Sequence, residues 1–286
     1  MWTNYHQHSH YCDGKHSPEE HIQAAIAQNV KILGFSSHSP VRFPSVWNMP
    51  LEKLDDYLFE IRQLKQKYES QIEIYTSLEL DYIPHVIDLH TNYIQNACLD
   101  YTLCSIHYVD SFEDGKHWEI DGTHQIFLQG LEQIFQNNIK KAVKRYFQLT
   151  REMIQNSCPQ VLGHLDKIKM QNKEGKLFSE TETWYKDEIM QTLEFIKNKN
   201  VIVEVNTRGL YKKVSTETYP SVWILKQIKA MNIPIMLNSD AHHPSEITKC
   251  FSETASLLKN IGFKEWMIFS KEKWISVPFN KNGCML

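Results

Sequence analysis

Histidine and carboxylate side chains recur at short spacings along this sequence. One residue separates His6 from His8, and one residue also separates Asp240 from His242. In a β-strand, residues i and i+2 point to the same face, so each pair could direct two side chains toward one ion. Four more such groups stand in short motifs elsewhere in the chain, namely His38, Glu79, His107 and His164. Imidazole and carboxylate donors without a thiolate suit zinc, manganese or iron, so these residue types predict a metal centre.

These groups stand near the ends of short apolar runs that alternate with longer amphipathic stretches. Runs that are apolar throughout are typical of parallel strands buried on both faces. The alternation therefore predicts an α/β fold with a parallel sheet. The predicted β-strands are residues 5–8, 31–36, 72–79, 101–106, 161–164, 201–206 and 234–238. The predicted helices are residues 18–28, 51–68, 84–96, 124–155, 181–198, 220–230 and 246–259, and long loops are expected at 45–50 and 110–121.

Repeated βα units without a Gly/Ser-rich linker favour one closed sheet over two domains. We expect a single barrel domain over residues 1–286, with a short C-terminal extension from about residue 266 that could add strands. Six of the seven predicted strands carry a candidate ligand at their C-terminal end, where barrel enzymes build their active sites. The candidate donors are too many for one ion, so two or three ions are expected, and Glu79 could bridge two of them through its two oxygens.

Composition excludes several other classes of protein. The 31 Lys and Arg residues nearly balance the 34 Asp and Glu residues, which argues against binding to nucleic acid or an anionic membrane. No apolar run approaches the roughly 18 residues of a membrane span. The first residues are polar and rich in histidine, unlike a signal peptide. The six cysteines form no C-x-x-C pair, so free thiols in a cytoplasmic protein are expected.

Seven motifs, in this order, make the chain resemble a known family. They are His6-x-His8 followed by Cys12-Asp13-Gly14, then His38-Ser39-Pro40, Leu78-Glu79-x-Asp81, Ser105-x-His107-Tyr108, Gly163-His164-Leu165-Asp166, Val205-Asn206-Thr207-x-Gly209-Leu210 and Ser239-Asp240-Ala241-His242. The set resembles the PHP (polymerase and histidinol phosphatase) superfamily, and within it the histidinol-phosphate phosphatases. The resemblance runs from residue 4 to about residue 270.

The resemblance implies a distorted (β/α)7 barrel with a centre of three divalent metal ions, zinc, manganese or iron, at the C-terminal ends of the strands. Carried over by motif, the first ion takes His6, His8, Glu79 and Asp240, the second shares Glu79 and takes His107 and His164, and the third takes His38, His242 and one ligand from the loop after the first strand.

That loop departs from the family pattern. Many relatives have a histidine at the position of Gly14, and glycine has no side chain that could bind a metal ion. The neighbouring Asp13 and the nearby His16 are the two candidates for the missing ligand. An aspartate of this loop is a ligand in other PHP members, so Asp13 is the expected one.

The resemblance further implies a metal-dependent phosphomonoesterase that hydrolyses L-histidinol phosphate in histidine biosynthesis. Glu79, Asp240 and His242 would be the catalytic residues. The leaving alkoxide needs a proton, which Asp240, His242 or a water molecule could deliver. The phosphate needs cationic partners, and the candidates, from loops after predicted strands, are Arg42, Arg208 and Lys212.

Two other interpretations stay open at this point. The same centre could act on another small phosphoester, such as a nucleotide. The ligands could also belong to a non-catalytic, metal-binding regulator. Cationic residues on the same face as the candidate ligands favour an enzyme with a small-molecule phosphate monoester as substrate.

Overall fold

The computed structural model describes residues 1–285. Its strands are β1 (Trp2–Asn4), β2 (Val30–Phe35), β3 (Glu73–Thr76), β4 (Glu79–Asp81), β5 (Leu103–Ser105), β6 (Tyr108–Ser111), β7 (His117–Glu119), β8 (Val161–Leu162), β9 (Ile202–Asn206), β10 (Ile235–Asn238), β11 (Glu265–Ser270), β12 (Lys273–Asn280) and β13 (Gly283–Cys284). Its α-helices are α1 (Pro18–Ala27), α2 (Leu54–Lys67), α3 (Asn92–Asn96), α4 (His124–Gln133), α5 (Ile139–Asn156), α6 (Thr183–Lys199), α7 (Arg208–Tyr211), α8 (Val222–Ala230) and α9 (Phe251–Ile261). No helix in this part of the chain combines the length and the apolar character needed to cross a membrane.

Two parallel sheets form the wall of the fold. One has the order β1–β2–β3, and the other has the order β10–β9–β8–β5–β4. Isolated parallel bridges join the two sheets at both seams, between Gln7 and Ala241 and between His38 and Glu79. The strands therefore follow one another around a ring with their C-terminal ends at one rim. The predicted distorted α/β barrel is confirmed.

The strands are buried on both faces, as their uniform apolar character predicts. Every residue of β9 and β10 is buried. Helices cover the outside, and α2 and α5 turn apolar stripes toward the core. Helix α1 begins at a capping box, in which Ser17 and Glu20 each bind the other's backbone N–H, with Pro18 in the first turn.

The first predicted strand, 5–8, is displaced, because the regular strand β1 ends at Asn4. Side chains supply part of the strand ladder beyond this point, beside backbone bonds such as the one from the Ser36 N–H to the Gln7 carbonyl at 3.0 Å. The Tyr5 N–H donates to Asn238 Oδ1 at 2.8 Å, and the Gln7 N–H donates to Ser36 Oγ at 3.1 Å. These side-chain acceptors hold the segment in place without a continuous ladder.

The predicted strand 72–79 is two strands rather than one. Strand β3 pairs with β2, whereas β4 pairs with β5, so the chain passes from one sheet to the other at Ser77 and Leu78. This change of partner brings Glu79 and Asp81 to the inner side of the rim.

Three predicted helices are shorter or interrupted. The stretch 124–155 breaks into α4 and α5 because Gln136 and Asn137 have left-handed φ angles of 51° and 59°. Asn138 then starts α5, and its side chain accepts a hydrogen bond from the Lys141 N–H. Only the end of 84–96 is helical, as α3. Helix α9 begins at Phe251 rather than 246, after Cys250 adopts a φ of 61°.

Antiparallel strands occur in two places. The expected loop 110–121 contains the hairpin β6–β7. After α9, the strands β11, β12 and β13 form a small antiparallel sheet. This sheet is tied to the barrel through Tyr5, whose hydroxyl donates to the Phe269 carbonyl at 2.8 Å.

Candidate metal centre

The structure brings the predicted ligands together at one rim of the barrel. His6 and His8 follow β1, His38 follows β2, Glu79 lies in β4, His107 follows β5, His164 follows β8, and Asp240 and His242 follow β10. All except His242 are at most 5% exposed. Their convergence comes from the parallel strands, which all end on the same side.

Glu79 lies at the middle of this group. Its Oε2 atom is 3.1 Å from His6 Nε2 and 3.3 Å from His38 Nδ1. Its Oε1 atom is 2.8 Å from His164 Nε2 and accepts a hydrogen bond from Ser105 Oγ at 2.6 Å. One carboxylate thus faces imidazoles on two sides, which is the arrangement that a bridging ligand requires.

Two further carboxylates extend the group. Asp240 Oδ1 lies 3.2 Å from His8 Nε2 and 3.7 Å from His6 Nε2. Asp13 Oδ2 lies 3.1 Å from His242 Nε2. Asp240 therefore lies near His6, which also faces Glu79, and Asp13 borders the group through His242.

Donor atoms within 4.8 Å of one another define three groups that could each hold a metal ion. These groups are His6, His8 and Asp240; His38, Glu79 and His107; and His8, Asp13, His38 and His242. His164 joins the second group through its contact with Glu79.

The chemistry of the donors fits metal ions. His6 Nε2, His8 Nε2 and His38 Nδ1 are buried nitrogens without a hydrogen-bond partner. Buried polar atoms nearly always have a hydrogen-bond partner. Imidazole nitrogens that face carboxylates without such a bond are therefore suited to bind a metal ion together with those carboxylates. The residues present therefore fit the metal centre that the family resemblance implies.

The carboxylates of the centre are held in their ionised form. Burial alone would raise the pKa of Glu79, but the imidazoles of His6, His107 and His38 hold it well below its usual value. The pKa of Asp240 is likewise well below its usual value, although burial opposes this, because His6 and Arg208 lie nearby. The centre thus concentrates negative charge that cations would stabilise.

The imidazoles divide into two kinds. Burial and a neighbouring imidazole lower the pKa of His8 and of His38 to about 4, so both are neutral at physiological pH. Burial would lower the pKa of His107 too, but Glu79 and Asp121 raise it to about 9. A metal ion binds the unprotonated ring, and would therefore replace a proton at His107.

Other polar groups hold the ligands from behind. Glu204 Oε1 lies 2.6 Å from His6 Nδ1, and Asp81 accepts from His107 Nδ1. Gly163 leaves room for the hydroxyl that binds Glu79, since a Cβ at that position would lie 2.3 Å from Ser105 Oγ. Glu204 is not among the site residues predicted from the sequence, although a carboxylate inside an otherwise apolar strand is a visible signal.

The loop after β1 brings Asp13, not His16, to the centre. His16 is 39% exposed, and its Nδ1 lies 2.9 Å from Glu20 Oε1 on α1. The backbone of Gly14 packs tightly, because a Cβ there would lie 2.4 Å from the carbonyl carbon of His8. The usual family histidine would therefore not fit this backbone.

A cleft of about 730 Å³ opens over the centre. Arg208 and Lys212 both line it, as the sequence predicts. The Arg208 Nη1 atom donates to the Asp240 carbonyl at 2.8 Å and lies 2.8 Å from His242 Nδ1. Lys212 Nζ lies 2.5 Å from Glu246 Oε1. Arg208 therefore stands beside two predicted ligands, whereas Lys212 is paired with Glu246.

The structure does not bring Arg42 to the cleft. Its side chain is exposed, and its guanidinium lies over the ring of Tyr93, 5.7 Å from the centroid. Its position after a strand did not predict this, because the loop reaches the centre at His38 and the cleft at Trp47, while the side chain of Arg42 between them lies on Tyr93.

Lys167, which is not among the site residues predicted from the sequence, lines the cleft instead. Its Nζ atom lies 2.6 Å from Asp121 Oδ2 and 3.5 Å from both His107 Nε2 and His164 Nε2. Burial would lower the pKa of Lys167, but Asp121 and Asp240 raise it above its usual value, so the ammonium stays charged. The signal was its position directly after the motif that carries His164.

Comparison with known proteins identifies the family. Residues 4–208 match the PHP domain. The chain belongs to the PHP domain family. A histidinol-phosphatase from Lactococcus lactis is 25% identical over 283 residues, covering 94% of this chain and 95% of that protein. A histidinol-phosphatase from Bacillus subtilis is 24% identical over 258 residues, covering 85% of this chain and 94% of that protein.

A solved PHP-type structure supports the same fold. The crystal structure of the Lactococcus lactis histidinol phosphate phosphatase, complexed with zinc, L-histidinol and phosphate, aligns with a TM-score of 0.69. The two chains are 22% identical in this alignment, which covers 96% of this chain and 98% of that one. The shared fold thus extends over nearly all of the described residues.

Proposed function

We propose that this PHP protein is a metal-dependent phosphomonoesterase that hydrolyses L-histidinol phosphate to L-histidinol and phosphate. The observation that carries the proposal is the buried centre of imidazoles and carboxylates beneath a cleft lined by Lys167 and Arg208. Relatives named histidinol-phosphatase match the chain over most of its length, which supports this substrate over other phosphoesters.

The proposed cofactors are three divalent ions, of zinc, manganese or iron. His6, His8, Glu79 and Asp240 would hold the first, Glu79, His107 and His164 the second, and Asp13, His38 and His242 the third. When bound, such ions lower the pKa of water toward neutrality and neutralise charge on phosphoryl oxygens.

The proposed roles of the cleft residues follow from their charges. Lys167 and Arg208 would bind phosphoryl oxygens and orient the ester for in-line attack by water. The Asp240 carboxylate is ionised, so it can accept a proton from the attacking water. As the bond from phosphorus to the histidinol oxygen breaks, that oxygen takes up the proton that Asp240 accepted from the water.

The part of the cleft lined by Trp47 and Glu119 suits a cationic leaving group. Trp47 donates its Nε1–H to Glu119 Oε2 at 3.0 Å and stacks on Tyr108 at 5.1 Å between ring centroids. Carboxylates and flat aromatic rings are partners for a protonated amine or an imidazole. A substrate with a phosphate at one end and a cationic group at the other matches this arrangement.

The test is phosphate release by the purified protein from histidinol phosphate, a nucleoside monophosphate and p-nitrophenyl phosphate, each with added zinc, manganese or iron. We expect the highest kcat/KM with histidinol phosphate and little activity in a Glu79→Gln control. Preference for the nucleotide would replace the proposed substrate, and release from none of the three would overturn the phosphatase proposal.

A further inference from the structure

Glu204 is a fully buried carboxylate with every lone-pair direction occupied. Its Oε1 atom lies 2.6 Å from His6 Nδ1 and accepts from Asn238 Nδ2 at 2.9 Å. Its Oε2 atom accepts from the His164 backbone N–H at 2.9 Å and from Asn206 Nδ2 at 3.0 Å. With four donors around it, Glu204 has no oxygen left to bind a metal ion directly.

The contact with His6 has a consequence for the opposite side of the imidazole ring. A carboxylate with three other donors must accept, so the ring presents an N–H at Nδ1. In the unprotonated ring that binds a metal ion, the Nε2 atom then carries the lone pair, and this atom is the one that faces Glu79 at 3.1 Å. The orientation of His6 toward the centre is thus determined from behind by Glu204.

The same carboxylate reaches a second part of the centre. Through its bond to the His164 N–H, it fixes the start of the segment that carries this imidazole after β8. His6 and His164 belong to two different proposed ion sites, both of which contact Glu79. Glu204 is therefore attached to both sites at once while remaining outside each of them.

We propose that Glu204 is a positioning residue that fixes the Nδ1–H tautomer of His6 and the placement of His164 for metal binding. The proposal rests on the metal centre of the proposed function but not on the identity of the substrate. Carboxylates that orient metal-binding histidines in this way contribute 10–100-fold to metal affinity in other proteins.

Zinc affinity of the purified protein tests the proposal, measured by competition with a chromophoric chelator. Glu204→Gln keeps the shape of the side chain but replaces one accepting carboxylate oxygen by an NH2 group. The donor that now binds this oxygen would then face another donor. We expect its zinc affinity to fall by about 10–100-fold. The matched control is Glu188→Gln, which removes another buried carboxylate, bound by Arg151 Nη2 at 2.9 Å on the helical layer. Its zinc affinity should stay within about twofold of the wild type.

A second measurement works even if Glu204→Gln does not fold. In the zinc-loaded wild type labelled with 15N-histidine, the His6 signal, identified by its loss in His6→Gln, should show the proton on Nδ1. A proton on Nε2, or equal zinc affinities for Glu204→Gln and Glu188→Gln, would overturn the proposal. Neither result depends on the substrate, so failure here is separate from failure of the proposed phosphatase activity.

Discussion

Lys167 Nζ lies 2.6 Å from Asp121 Oδ2, and this pair joins the segment after β8 to the segment after β7 beside the metal centre. The ammonium is almost completely buried, at 7% exposure, whereas the carboxylate is 25% exposed toward the cleft. A buried ion pair of this kind holds a cation in a defined place next to two imidazoles of the centre.

Lys167→Met should lower kcat/KM for the phosphoester by about 10–100-fold. A hydrogen bond to a charged group contributes about 1.5–3 kcal/mol, and each 1.36 kcal/mol changes a rate tenfold. Steady-state kinetics on histidinol phosphate would measure the loss. The control is Lys144→Met, which removes an exposed lysine paired with Glu188. A change of less than twofold in Lys167→Met would contradict a role in binding phosphate.

Glu79→Gln should lose far more activity than Arg42→Ala. The first substitution removes a negative charge that faces imidazoles on two sides, whereas the second removes an exposed guanidinium lying over Tyr93. We expect the activity to fall at least about 10³-fold in Glu79→Gln and less than about twofold in Arg42→Ala, because the first residue is a shared ligand and the second is a surface cation. Equal and small losses would argue against the bridging position of Glu79.

Asp13→Asn should lower the metal content by about one ion per chain, while His16→Ala should leave it unchanged. The reason is that Asp13 contacts His242, whereas His16 pairs with Glu20 on α1. Elemental analysis of the two variants, prepared side by side at the same buffered free zinc concentration, would measure this. Loss of an ion from His16→Ala alone would reverse the assignment.

Gly14→His should reduce metal content and stability, although it restores the residue that is common in the family. Its Cβ would lie 2.4 Å from the His8 carbonyl carbon and 2.5 Å from the Ser9 nitrogen, and backbone atoms cannot move aside cheaply. Calorimetry and elemental analysis would measure both effects. The control Gly115→Asn changes an open position with a φ of 84°, which asparagine tolerates. A fully metallated, stable Gly14→His protein would contradict the tight packing.

Removal of metal with a chelator should lower the melting temperature by about 5 °C or more. A ligand at 100 times its Kd stabilises a protein by about 2.7 kcal/mol, and each kcal/mol corresponds to about 2–4 °C in a chain of this size. Without cations, carboxylates such as Glu79 and Asp240 remain buried close together. Scanning calorimetry would measure the shift, and added zinc should restore it. An unchanged melting temperature would indicate that the centre does not hold metal in solution.

The sequence predicted strand positions well where a strand pairs with the same neighbouring strands along its whole length. The prediction 201–206 corresponds to β9, and 234–238 corresponds to β10. The prediction 72–79 merged β3 and β4, because the apolar pattern is continuous while the hydrogen-bond partner changes from β2 to β5. Which strand pairs with which is a property of the folded chain, and periodicity does not report it.

The residues of the candidate site also divide into those that sequence motifs reveal and those that only contacts in the folded chain reveal. Glu79 and His164 could be found because they end apolar runs inside recognisable motifs. Asp121 could not, since its importance comes from a contact with Lys167 between two segments distant in sequence, and the only signal for Lys167 is that it directly follows the motif of His164. The prediction for Arg42 was wrong because its position after a strand does not show that its side chain lies on Tyr93 and away from the cleft.

The metal centre depends on the length of the chain that leads into the three-residue strand β4. Glu79 pairs with Leu103 and Asp81 with Ser105, while Leu80 faces the opposite side. The chain changes from one sheet to the other just before β4. Inserting or deleting one residue there would turn Leu80 toward the inside of the barrel and both Glu79 and Asp81 toward the outside. Both carboxylates would then point into the apolar layer that Leu80 now occupies, where an unpaired charge is strongly unfavourable. A single-residue change of length at this switch is therefore expected to destabilise the core and to remove the metal centre at once.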